Sequence, residues 1–175
     1  IRDRAIGDGD HYINLKRGSV AIQSLIPDFI NLSNSEIFKM IGMKLLSTVG
    51  GASGPLFASF FIEFSKKIGN SENELKNIYL GFESGVEAIK KRGKAQINEK
   101  TMLDVLIPVA KVFKEEIEKQ SDLETILLSI KKEAIDGVEK TKDLLPLKGR
   151  AATLGERAIG HVDPGAKSCQ LIIST

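Results

Sequence analysis

Apolar residues recur at helical spacing along most of the chain, and three such runs start behind a serine with a glutamate three positions on. Ser33-x-x-Glu36, Ser71-x-x-Glu74 and Ser121-x-x-Glu124 match the capping box. In that motif a serine oxygen and a glutamate side chain satisfy the free amides of a helix start. Behind the first, Ile37, Met40, Ile41, Met43 and Leu45 favour one face up to about Thr48. Behind the second, Leu75, Ile78, Phe82, Val86 and Ile89 do so up to about Lys91, and behind the third Leu123, Ile126, Leu127, Ile130, Ala134 and Val138 follow the same period. The spacing also predicts helices from Pro55 to Ile68 and from Lys100 to Lys119.

No run alternates with period two between turn residues, so no strand is predicted; Asp8-Gly9, the nearest hairpin-type dipeptide, has charged or small neighbours. One apolar stripe per helix calls for mutual burial, and the expected fold class is all-α, an up-and-down antiparallel helical barrel or bundle. The glycine-rich, irregular segments fall at 6–12, 50–55, 92–99 and 148–166, where chemistry is expected.

Composition narrows the function classes. A chain of 175 residues fits a single domain with a real core, here 1–175. Apolar residues make up 42% and charged residues 27%, the balance of a globular chain. No apolar run approaches the roughly 20 residues of a membrane span, and the polar, glycine-bearing start does not read as a signal peptide. The formal charge of +2 comes from 25 basic and 23 acidic residues, interleaved as in Lys114-Glu115-Glu116, which argues against nucleic acid. Cys169, a lone cysteine, forms no internal disulfide and suits a reducing cytoplasm; it is expected on a helix face. The chain opens at Ile1 and stops in the apolar run Leu171-Ile172-Ile173, so both ends are expected to be trimmed within helices.

The first irregular segment holds Asp3, Asp8 and Asp10, with Gly7 and Gly9 beside the latter two. Glycines let neighbouring carboxylates converge, and convergent carboxylates repel unless a cation separates them. Magnesium suits such a site, taking oxygen ligands and completing its shell with phosphates. The alternative is a polar turn whose aspartates cap nearby amides. A calcium loop is excluded by the missing later ligands and closing glutamate. Segment 47–56, Ser-Thr-Val-Gly-Gly-Ala-Ser-Gly-Pro-Leu, places small residues before a helix start, an anion site or a simple turn; it is neither a Walker loop nor a dinucleotide fingerprint. Arg150 can fork onto phosphate oxygens, Asp163-Pro164-Gly165 reads as a turn, and Met102 as either core or a base contact.

Together these segments resemble the L-subunit family of dihydroxyacetone kinases: the Asp3 to His11 loop, Gly50-Gly51-Ala52-Ser53-Gly54-Pro55, Arg92-Gly93-Lys94-Ala95 with Lys100-Thr101-Met102, and the segment from Lys148 to Ala166, in that order. The resemblance runs from Ile1 to about Ser168. It implies about eight helices in the full domain with nucleotide at one end, and gives Asp3, Asp8 and Asp10 the ligation of two magnesium ions. It assigns ADP or ATP contacts to His11, Tyr12, Ile13 and Asn14, to Ala52 and Ser53, and to Arg150. Gly93 and Met102 would border the adenine, and Asp163, Pro164 and Gly165 would close over the nucleotide. Tyr12 departs from the family, which usually has glycine there; Ala158 and Lys167 stand where related chains often carry hydroxyls.

The activity implied is phosphoryl transfer to dihydroxyacetone, which a separate K subunit binds, so no catalytic nucleophile or base is assigned to this chain. A phosphocarrier M subunit of the phosphotransferase system would recharge ADP; in the other form of the family ATP exchanges as a substrate. An ADP-dependent contact with a transcriptional regulator and a homodimer are further partners to consider. Two rivals remain: the nucleotide domain of fatty-acid kinases, which usually has threonine at the position of His11, and a purely structural bundle.

Overall fold

The computed structural model describes residues 10–69 and 73–175, and all its regular elements among these are helical. They fall into two compact units, Asp10–Lys94 and one containing Ala95–Thr175. No described helix is long and apolar enough to cross a membrane.

The first unit comprises α1 (Asp10–Gln23), a 3₁₀ turn (Ile26–Asn31), α2 (Asn34–Thr48), α3 (Ser53–Ser65) and α4 (Glu74–Gly93). Helix α1 was not anticipated in the irregular segment 6–12; an aspartate in its first turn complements the helix dipole. Ser33 caps α2 with both halves of the capping box, as its sequence requires. Ser71 lies outside the described residues, and the cap of α4 is Asn73, whose side chain accepts from Lys76 N at 3.0 Å. Helix α3 begins two residues before Pro55, because proline fits the first turn, where its missing N–H costs nothing.

Neighbouring helices in this unit pack through phenylalanines. Phe38 meets Phe64 edge-on at 4.7 Å, and Phe60 meets Phe82 edge-on at 5.6 Å. A Cβ on Gly85 would lie 2.4 Å from the Phe60 ring, so glycine there lets α4 approach α3. A second cluster joins Ile41, Leu45, Val49 and Ala58.

The second unit comprises α5 (Leu103–Glu118), α6 (Leu123–Lys140), a 3₁₀ segment (Arg150–Ala158) and α7 (Pro164–Ser174). Leu103, Val105, Val109, Ile126, Ala134, Val138, Ala166 and Cys169 are among its buried residues. The cap of α6 is Asp122, not Ser121: its carboxylate accepts from Thr125 N at 2.7 Å. Ser121 instead donates to Glu116 at 2.6 Å. Both residues are good caps, and a charged acceptor one position later wins the amide. Helix α5 starts at Leu103 rather than Lys100 because Asn98 and Lys100 both hold left-handed backbone.

Candidate functional site

In the first unit, α1 carries Asp10 and His11 in its opening turn, with Asp10 exposed and His11 half-buried. Tyr12 and Ile13 point outward, 68% and 53% exposed. Asn14 is the first buried residue of the helix. Its Nδ2 lies 3.1 Å from where a Cβ on Gly51 would stand. One turn on, Arg17 brings an Nη1 within 3.9 Å of the same point on Gly50. Thus α1 joins the Asp-His motif to the glycine loop, a meeting that the sequence left unstated.

That loop is shaped by two glycines. Gly51 has φ of +69°, a conformation that side chains rarely adopt. A Cβ on Gly54 would fall 2.0 Å from the Val49 carbonyl oxygen, so the start of α3 folds back on the chain that leads to it. Ala52 occupies the cap position and no side chain caps α3, while Ser53 is buried as its first residue. Uncapped amides at a helix start carry the positive end of the helix dipole. Gly93 is the last residue of α4; the left-handed cap is Lys94, at φ of 47°.

In the second unit, Met102 is buried at the start of α5. The segment before it is strained: Asn98 and Lys100 have φ of 68° and 58°. Each such residue costs about 1–2 kcal/mol and persists only where the surroundings fix it. Asp104 fixes it, accepting from Asn98 N at 2.5 Å and Thr101 N at 2.7 Å. Burial raises the pKa of Asp104 above the usual carboxylate range, against the lowering effect of those backbone bonds.

Lys100 is 1% exposed. Its ammonium donates to the Thr141 carbonyl at 2.5 Å and the His161 carbonyl at 2.7 Å. Burial lowers its pKa, and Asp163, Asp143 and Asp104 pull the other way. Thr141 Oγ1 in turn accepts from Asp163 N at 3.0 Å. Asp163 is the cap of α7, its carboxylate accepting from Ala166 N at 2.7 Å, and Pro164 is the first residue of that helix. Asp163-Pro164-Gly165 is therefore a helix start rather than a free turn, the geometry that Asp before Pro favours. Burial pushes the Asp163 carboxyl up to about 6, with the amides of Ala166 and Gly165 opposing. Met102 and Gly165 meet: a Cβ on Gly165 would lie 3.5 Å from Met102 Cβ and Cε.

Arg150 opens the 3₁₀ segment after Gly149, and its side chain is outside the described set. Asp3 and Asp8 lie outside the described residues as well, so the metal cluster proposed from sequence is represented here by Asp10 alone. Among the described residues no group of three metal-ligating side chains occurs. Sequence reading gave Lys100 no role of its own within Lys100-Thr101-Met102, and passed over Asp104, Thr141 and Arg17. One signal was available: Thr101-x-x-Asp104 before an apolar run is a capping pattern, and Asp104 makes its reciprocal bond to Thr101 N.

The sequence profile of the DAK2 domain matches residues 5–175. The chain is 41% identical over 170 residues to the ADP-binding subunit DhaL of PEP-dependent dihydroxyacetone kinase 1 of Listeria innocua, covering 97% of this chain and 80% of that subunit. It is 38% identical over 172 residues to the corresponding DhaL subunit of Escherichia coli, covering 98% and 82%. Among solved structures, the native dihydroxyacetone kinase of C. freundii matches with a TM-score of 0.72 at 26% identity, over 98% of this chain and 29% of that one. The same kinase in complex with AMP-PNP and Mg2+ matches with a TM-score of 0.69 at 25% identity, over 98% and 28%.

Proposed function

The chain belongs to the DAK2 domain family, and on that footing we propose that it is the ADP-binding, phosphoryl-transferring subunit of a dihydroxyacetone kinase. The observation that carries this is the identity to subunits named as ADP-binding, over nearly all of this chain and about four-fifths of theirs. Dihydroxyacetone would be held on a separate K subunit, and a phosphocarrier M subunit would rephosphorylate the bound nucleotide. No group of this chain is assigned as nucleophile or base. A cytoplasmic setting, a homodimer and an ADP-dependent contact with a transcriptional regulator are compatible with this role.

Asp3, Asp8 and Asp10 would ligate two magnesium ions, since carboxylate oxygens are the donors this ion prefers. Magnesium bound there would neutralise phosphate charge and fix the geometry of transfer. The rest of the work falls to the chain itself. His11, Tyr12, Ile13 and Asn14 would bind on the α1 side. Ala52 and Ser53 would present the amides of α3 to phosphate, a role supported by the absence of a capping side chain there and by the two shape-setting glycines. Arg150 would add a forked cation. Gly93 and Met102 would border the adenine, and Asp163, Pro164 and Gly165 would close over the nucleotide and exclude water; the nearness of Met102 to Gly165, where an added Cβ would lie 3.5 Å from it, supports grouping these last residues.

A second reading has ATP exchanging as a substrate, favoured by the likeness to a kinase solved with AMP-PNP and Mg2+. Nucleotide content separates the two. Full-length protein is gel-filtered in magnesium, split with and without chelator, denatured, and its released nucleotide quantified. Near-stoichiometric ADP that survives filtration and is lost to chelator is the expected result. An empty protein that takes up ATP reversibly selects the second reading. Asp8→Ala and Asp10→Ala should each abolish magnesium-dependent retention with helicity intact; retention by both would remove the metal assignment.

A further inference from the structure

We propose that Lys100 is a positioning residue for the nucleotide site, tying the segment that ends in Met102 to the segment that delivers Asp163, Pro164 and Gly165. The proposal rests on the reading above that these residues touch nucleotide, and it adds a residue that touches none.

Three pieces of chain distant in sequence meet at one ammonium. Lys100 itself belongs to the strained segment before α5, and its Nζ donates to the carbonyl of Thr141 at the end of α6 and to that of His161. The same Thr141 accepts the Asp163 amide through its hydroxyl, and Gly160 N donates to the Lys142 carbonyl at 2.8 Å. The backbone on both sides of Val162 is therefore fastened to the end of α6, and through Lys100 to the segment leading to Met102. Asp104 sets the other side of that segment by accepting Asn98 N and Thr101 N.

A structural filler would not need this chemistry. An aliphatic side chain fills the same space without burying an ammonium, which is expensive unless its donors are used. A left-handed backbone at Lys100 adds strain that only a fixed surrounding maintains. Strained, over-determined backbone next to a contact residue is the arrangement by which a site is held ready before its ligand arrives. Two carbonyls and one hydroxyl-bound amide give this device a definite reach: it sets the separation of Met102 from Gly165, where an added Cβ would lie 3.5 Å from the methionine.

The test measures ADP binding in magnesium by full-length wild type, Lys100→Met, Thr141→Val and the double variant. Phe113→Leu, a core change in α5 of the same unit, serves as a stability-matched control. Hydrogen exchange is followed over 159–166. Lys100→Met removes the ammonium from the His161 carbonyl and leaves the Thr141 carbonyl only the longer bond from Leu144 N at 3.4 Å, and the dissociation constant for ADP should rise about tenfold or more. Exchange in 159–166 should quicken, whereas Phe113→Leu at equal loss of melting temperature should bind ADP nearly as wild type does. Thr141→Val should weaken binding in the same direction, and the two losses should combine to less than their product because they act on one network.

Wild-type binding with an unchanged Lys100→Met variant overturns the assignment alone. An equal loss in Phe113→Leu does the same, reducing Lys100 to a stability residue. Absence of ADP binding by wild type overturns the functional reading and this assignment with it. Should Lys100→Met fail to fold, Thr141→Val decides: folded protein with wild-type affinity and exchange overturns the proposal, and weakened affinity with faster exchange upholds it.

Discussion

In the unit spanning Asp10–Lys94 the segments singled out for nucleotide contact are set by shape. Gly51 supplies a left-handed turn, Gly54 lets α3 start against the Val49 carbonyl, and a phenylalanine core holds α2, α3 and α4 together. In the unit containing Ala95–Thr175 the corresponding segments are set by a buried polar network of Lys100, Asp104, Thr141 and Asp163. Shape is insensitive to pH and intolerant of added atoms. A polar network tolerates atoms better and depends on every partner being present. The first unit should therefore break under a methyl group, and the second under a missing acceptor or a change of proton.

The largest expected effect is Gly54→Ala. The new Cβ would stand 2.0 Å from a backbone oxygen, which cannot rotate away, so the start of α3 must move. A loss of about 3 kcal/mol or more in chemical denaturation is expected. A loss below about 1 kcal/mol would mean the loop is soft, and the claim that shape sets it would fail.

Next comes Asp104→Ala, which strips the acceptor from the amides of Asn98 and Thr101 and releases two strained residues. Denaturation should report about 2–3 kcal/mol lost. Serine or asparagine at this position should recover part of that loss, since each offers an oxygen; no recovery would assign the effect to packing.

The smallest effect concerns protons. The Asp163 carboxyl lies at about 6 in the folded protein against 3.8 for the free group, so folding favours its protonated form. The stability it contributes is complete below about pH 4 and falls away as pH rises through 6. Partial contact with solvent discounts the change to about 1–2 kcal/mol. Melting temperatures between pH 4.5 and 7.5 should fall less steeply in Asp163→Asn, which keeps an oxygen for the Ala166 amide. Parallel curves for the two proteins would show that this carboxyl is not the source of the dependence.

The helical class of the molecule was legible because its evidence is local. Apolar spacing of three and four residues decides which face of each helix is buried, and Ser33 with Glu36 forms its box from atoms three residues apart. The glycine loop was legible for the same reason: Gly54 answers to the Val49 backbone five positions before it, and Gly51 to its own left-handed φ. Even the misplaced starts were near misses, since Asn73 and Asp122 stand within two residues of the serines expected to cap those helices.

The buried network was not legible. Lys100 enters the sequence reading only as the first residue of Lys100-Thr101-Met102, with no role of its own, and its acceptors are 41 and 61 residues away. Those acceptors are backbone carbonyls, which every residue owns, so no side-chain pattern marks Thr141 or His161 as the partners. The raised carboxyl of Asp163 has the same origin: burial comes from chain brought in from elsewhere, and an isolated Asp-Pro-Gly gives no sign of it. Sequence alone determined helices α2 to α6, the capped start of α2 and the glycine loop, because each depends on neighbours along the chain. Tertiary structure alone decided which lysine gave up water and which aspartate has its pKa raised by burial, because both depend on what the fold packs around them.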